Sequence, residues 1–177
     1  YTKNEKNAYY AVHYMLQNAD DSSDGTPVAD AGTVGKYKNY TESTAYTEGI
    51  GAIGQKVSVP VQTFVGFEVR QSAAAVLRQG DSQTQLELPL QADTAGNSYF
   101  ALQVESDGSE LYIFYTRKMQ NYRVYHLRYG TDVTDLSSLV YDKDDALHEN
   151  GVLAEITSGE QKYGTTVTAH SEPISGM

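Results

Sequence analysis

One stretch of the chain places oxygen ligands at nearly the spacing of a metal site. In Asp20-Asp21-Ser22-Ser23-Asp24-Gly25, side-chain oxygens at 20, 22 and 24 precede a glycine, as in the opening half of a calcium loop. The closing Glu is missing, because position 31 is Ala. A solvated turn is therefore the first reading, with Asp20, Ser22 and Asp24 as calcium ligands the alternative. The histidines at 13, 126, 148 and 170 never fall at metal-ligand spacing, and none sits beside a serine or carboxylate in a nucleophile motif. His13 and His126 are expected to point outward from strands. Cys is absent, which removes thiolate nucleophiles and ligands, and no glycine-rich phosphate loop follows a strand. The chain is accordingly read as non-catalytic and without a cofactor. Tyr37, Tyr40 and Tyr46 are a better prospect. They lie in a polar stretch, and an exposed tyrosine is a low-entropy contact residue for sugars and proteins. The bland alternative is that they pack back onto a sheet.

The elements that must carry these residues read as strands. Tyr9 to Leu16, Lys56 to Val69, Gln85 to Leu90, Tyr99 to Val104 and Glu110 to Tyr115 are rich in Val, Tyr, Ile, Leu and Phe. Asn18 to Gly25 breaks the first strand as an acidic turn, and residues 26 to 54 read as a long polar insertion with a short strand or helix at most. Ala73 to Arg78 is the best local helix former, though six residues are few for an isolated helix, and it continues a strand equally well. Asp142 to Asn150 fits one helical turn. Ser106-Asp107-Gly108-Ser109 predicts a hairpin, since Asp-Gly meets the positive φ of tight turns. With 15 Tyr, 4 Phe and no Trp, most aromatic rings carry a hydroxyl that seeks water or a partner. The formal charge of −10 repels nucleic-acid backbones and anionic lipid surfaces, and no apolar run is long enough to span a bilayer.

The chain also resembles itself. Tyr1-Thr2-Lys3 recurs as Tyr115-Thr116-Arg117, and the strand Tyr10-Ala11-Val12-His13-Tyr14 as Tyr122-Arg123-Val124-Tyr125-His126. Gly54 to Val59 matches Gly164 to Ala169, and Phe64 to Phe67 matches Ile174 to Met177. The order predicts the end of a preceding repeat and a joint at 1–7, a complete repeat at 8–118, and a truncated one at 119–177, the whole being internal to a longer protein.

Tyr10, Val12 and Tyr14; Gly54, Val57 and Ser58; Phe64, Gly66 and Phe67; and the closing Asp107-Gly108 to Tyr115-Thr116 together resemble the mucin-binding-protein (MucBP-like) repeats of Gram-positive cell-wall adhesins. The resemblance implies a mainly β (α+β) fold of tandem β-grasp-like (ubiquitin-like) modules with little helix, the second incomplete. It implies an extracellular location at the bacterial cell wall or surface, with a host glycoprotein, mucin glycan or immunoglobulin as partner and neighbouring repeats in the same chain. A structural stalk that holds another domain away from the wall is the alternative. The units here are longer than the common form, with extra residues at 26 to 50 and 71 to 98, and those insertions are where a private function is expected.

Overall fold

The computed structural model describes residues 6–129, 147–148 and 151–169. The chain divides into two units, Tyr1–Lys118 and Met119–Met177. The described residues are mainly strand and contain no helix.

In the first unit β1 (Asn7–Gln17), β2 (Tyr40–Ala52), β4 (Phe67–Gln79), β5 (Ser82–Pro89) and β8 (Ser109–Arg117) form one sheet in the order β2-β1-β8-β4-β5. β1 and β8 run parallel at its centre, and the other neighbours are antiparallel. β3 (Lys56–Pro60), β6 (Gln91–Ala92) and β7 (Ser98–Gln103) form a second, antiparallel sheet in the order β3-β7-β6.

Side-chain alternation places the core. Val12 and Tyr14 of β1, Ala73 and Ala75 of β4, and Leu111, Ile113 and Tyr115 of β8 project from one face of the large sheet. They pack on Val59 of β3 and on Phe100 and Leu102 of β7, so the two sheets form a sandwich. The intervening residues project the other way. Met15, Val76, Tyr112 and Phe114 form a second buried cluster on the outer face, closed by Tyr37 and Tyr40. The segment 18–39, between β1 and β2, brings Tyr37 onto that face as a third layer.

One open reading is settled and two expectations change. Ala73 to Arg78 is strand, because β4 is paired on both sides and tertiary pairing overrides a modest helix preference. Residues 40–52 of the supposed polar insertion form one of the two longest described strands of the first unit. β2 is an edge strand, and its Thr41, Glu42, Thr44 and Glu48 are exposed. The Asp107-Gly108 turn forms, with Gly108 at φ +101°, but it is no hairpin: β7 and β8 belong to different sheets and the turn carries the chain between them. A hairpin forms instead between β4 and β5, around Gly80.

The second unit contains β9 (Met119–Tyr129), β10 (Leu147–His148) and β11 (Gly151–Lys162), antiparallel in the order β10-β11-β9. β9 with β11 shares two features with β1 and β2. Both pairs carry one register shift, between His13 and Met15 and between Leu153 and Glu155. Both lay a tyrosine across a glycine on the partner strand, Tyr10 on Gly49 and Tyr122 on Gly159, at places where a Cβ would collide with the ring. Apart from Leu147 and His148, which form β10, the segment Asp142 to Asn150 lies outside the described residues.

Candidate functional site

A row of rings crosses the outer face of the large sheet, and register puts it there. His13 on β1 pairs with Tyr46 on β2 and with Tyr112 on β8, which in turn pairs with Ala74 on β4. All four therefore point to the same side. The His13 ring stacks on Tyr112 at 4.5 Å and 9°, and meets Tyr46 edge-on at 5.7 Å. Tyr112 continues the row to Tyr37 at 6.1 Å, beneath the 18–39 layer. One end of the row is thus covered and the other is open.

Carboxylates fringe the open end. Glu42 Oε1 lies 2.6 Å from His13 Nδ1, and Glu110 Oε1 lies 3.8 Å from His13 Nε2, which makes no hydrogen bond of its own. Arg78 Nη1 donates to Glu110 Oε2 at 2.7 Å, and the Tyr112 hydroxyl donates to the same oxygen at 3.2 Å. Burial, reinforced by Glu110, pushes the Tyr112 hydroxyl well above its ordinary range. His13 does point to the outer face as expected, but it is held between rings and carboxylates instead of being free in solvent.

The expectation of three exposed tyrosines is corrected for two of them. Tyr37 and Tyr40 are buried, 9% and 5% exposed, with their ring edges against Phe114 at 4.7 Å and 5.1 Å. Close approach makes this possible: Gly35, at φ +78°, lies where a Cβ would run into the Tyr112 ring. Tyr46 is 52% exposed, and Tyr9 and Ile50, which sequence reading passed over, are more so. The alternation of β1 and β2 carries the signal for them. Tyr9 pairs with Ile50 on the same face as Tyr46.

The two buried tyrosines still border clefts. A cleft of about 390 Å³ lies between the 34–37 turn and the strands, lined by His13, Lys36, Tyr37, Tyr40, Thr41 and Glu42 among others. A groove of about 250 Å³ at the open end is bordered by Tyr9, Tyr46, Glu48, Arg78 and Glu110.

Asp20, Ser22 and Asp24 lie in the turn that follows β1. Among the described residues no group of three or more His, Asp or Glu side chains is placed to hold a metal ion. The residue between the proposed ligands takes the structural role. Asp21 accepts from Gln17 Nε2 at 2.7 Å, Ser23 N at 3.0 Å, Ser23 Oγ at 2.8 Å and Asn39 Nδ2 at 3.2 Å. Asp24 accepts from Thr26 N at 2.9 Å, and Asp20 is exposed. His126 and His148 lie on β9 and β11's neighbour β10, and His170 falls outside the described residues.

Tyr40 and Tyr37 make a paired test of this layer. The Tyr40 hydroxyl donates to the Gly25 carbonyl at 2.5 Å, and burial pushes it up to about 12. The Tyr37 hydroxyl is enclosed without a partner at hydrogen-bonding geometry. Burial pushes it up also, and the Gln85 amide pulls it part of the way back. Tyr40→Phe is expected to cost about 1–3 kcal/mol in urea unfolding, and Tyr37→Phe to stay within about 0.5 kcal/mol of the parent. Equal losses would contradict this arrangement.

No known protein family, curated protein or solved structure matches the chain.

Proposed function

We propose that the chain is a non-catalytic binding module of a bacterial surface adhesin, extracellular at the cell wall, that recognises host mucin glycans or a host protein such as an immunoglobulin. The open end of the outer face carries the reading. Tyr46, Tyr9 and Ile50 offer flat apolar surface at small entropic cost, and Glu42, Glu48 and Glu110 supply acceptors for hydroxyl or amide donors. Rings beside carboxylates suit the apolar faces and hydroxyl edges of sugars, and equally a basic, aromatic stretch of protein. The binding surface thus moves from Tyr37 and Tyr40 to Tyr46 and its neighbours.

The fold supports the family resemblance in outline. Counted among themselves, the five strands of the large sheet run 2-1-5-3-4 with the first and last parallel, the order of a β-grasp sheet. The helix that a β-grasp lays on this sheet is replaced here by the β3-β7-β6 sheet. The recurring hairpin with its tyrosine over glycine favours tandem modules, and hence either avidity from weak repeated sites or a stalk.

Binding of the 1–177 chain to immobilised mucin, and in parallel to pooled immunoglobulin, distinguishes these. Saturable binding that Tyr46→Ala weakens roughly tenfold is the expected result. A folded sample that binds neither leaves the stalk.

A further inference from the structure

A second cleft, of about 570 Å³, lies on the far side of Tyr37 from His13, between the 26–29 stretch and strands β4 and β5. Its volume is in the range of small-ligand sites. Its floor is low because Ser72 and Ala74 are small. Two features of the lining point to a ligand.

The first is the Tyr37 hydroxyl, on a residue 9% exposed, which borders this cleft and lacks a partner at hydrogen-bonding geometry. Buried hydroxyls are normally satisfied. Gln85 borders the same space and is exposed.

The second is Arg70. Its guanidinium donates to the Asp24 carbonyl at a long 3.3 Å and lies beside the Tyr40 hydroxyl. Among the described residues no carboxylate stands at ion-pair distance from it. A guanidinium has five N–H donors, of which the Asp24 carbonyl and the Tyr40 hydroxyl engage a part, and its charge also helps to hold the Asp24 carboxyl low. Glu87, the acidic member of the lining, pairs with Ala74, four residues along β4 from Arg70. Arg70 itself lies within the register shift between Val69 and Ala73. Arg70 stands at one end of the cleft, and Tyr37, Gln85 and Glu87 offer hydrogen-bonding groups along the rest.

We propose that this cleft binds a carboxylate-bearing sugar of one or two units, Arg70 taking the carboxylate and Tyr37 Oη, Gln85 and Glu87 taking ring hydroxyls. The fork of Arg matches a carboxylate in two parallel hydrogen bonds, and the enclosed hydroxyl, which has only the Gln85 amide nearby, gains a partner at full hydrogen-bonding geometry. The inference rests on the glycan side of the function proposed above, but it assigns a separate site with its own chemistry.

The test is a titration of isotopically labelled 1–177 with glucuronate, glucose and acetate, followed by amide chemical shifts. Glucuronate is expected to shift residues 26–29, 70–74 and 85–87, with glucose and acetate each far weaker. Arg70→Gln should weaken glucuronate roughly tenfold and Arg70→Lys less, since the charge remains but the fork is lost. Tyr37→Phe, which keeps the packing, should weaken it roughly threefold. Tyr46→Ala should leave it unchanged. Acetate binding as well as glucuronate would overturn the sugar assignment. Glucuronate shifts abolished by Tyr46→Ala but not by Arg70→Gln would place the acid on the open face, sinking this inference while leaving the glycan reading intact. Absence of shifts with a folded spectrum also overturns it, whatever the mucin result.

Discussion

Phe114→Ala is expected to lower the unfolding free energy by about 3–5 kcal/mol and to expose the 18–39 segment to protease under native conditions. Phe114 is 3% exposed on the central strand β8, pointing away from the sandwich core. Its ring is the surface on which Tyr37 and Tyr40 both rest by their edges. Met15, Val76 and Tyr112 stand around it on paired strands and cannot slide into the space, so much of the cavity persists. Ile113, the next residue, faces the opposite way into the sandwich. Ile113→Ala should cost a comparable amount, about 2–5 kcal/mol, yet leave the 18–39 segment no more accessible until global unfolding. Urea midpoints for the two variants, with proteolysis mapped along each chain, separate the cases. A loss below about 1 kcal/mol for Phe114→Ala would mean that the third layer is not packed as described.

That layer marks the limit of what the sequence discloses. The strands β1, β3, β7 and β8 announce themselves because burial on one face forces alternation, as in Val12 and Tyr14 or Leu111, Ile113 and Tyr115. β2 hides its periodicity. As an edge strand it needs no apolar stripe, so Thr41 to Thr47 reads as a polar loop while its Thr and Tyr content already favours the pleat. β4 misleads through Ala73-Ala74-Ala75, whose helix preference is weaker than pairing on two sides. The site was legible in type but not in place. Tyrosines as the contact residues follow from composition, whereas which of them face water depends on whether the 18–39 segment folds back. No local pattern encodes that, since the partner ring, Phe114, is some seventy residues away. Tyr46 could have been preferred over Tyr37 and Tyr40 only by recognising β2 first.

Gln17 was invisible for the same reason, and it supports the last expected result. The side chain is 1% exposed at the end of β1. Its Oε1 accepts from the Arg117 backbone N–H at 2.9 Å, its Nε2 donates to Asp21 at 2.7 Å, and its own carbonyl accepts from Arg117 Nε at 2.8 Å. One amide therefore ties the ends of the two parallel central strands to the acidic turn. Gln17→Leu keeps the bulk and the backbone carbonyl but takes a partner from the Arg117 N–H and from Asp21, and it is expected to cost about 2–4 kcal/mol. Asp21 makes part of that cost dependent on pH. Burial pushes its carboxyl up, but the hydrogen bonds from Gln17, Ser23 and Asn39 outweigh it and hold the group well below its ordinary value of 3.8. A carboxyl depressed in the folded state binds its proton more readily when unfolded, so protonation favours unfolding. Its contribution is complete above the ordinary value and is lost as pH falls from there through the depressed one. Asp21→Asn should thus destabilise by about 1–2 kcal/mol at neutral pH, allowing for solvent screening of a partly exposed group. The gap to the parent protein should narrow steadily below pH 3.8. Asp93 and Asp107 are also held low by local hydrogen bonds, but they are common to both proteins and cancel in the difference, while Asp24, which the Asp21 charge pushes up slightly, is left a little lower in the variant. Urea midpoints for the pair at neutral pH and near pH 3 decide it: a gap that stays constant or widens on acidification would show that the carboxylate of Asp21 does not hold the turn to Gln17.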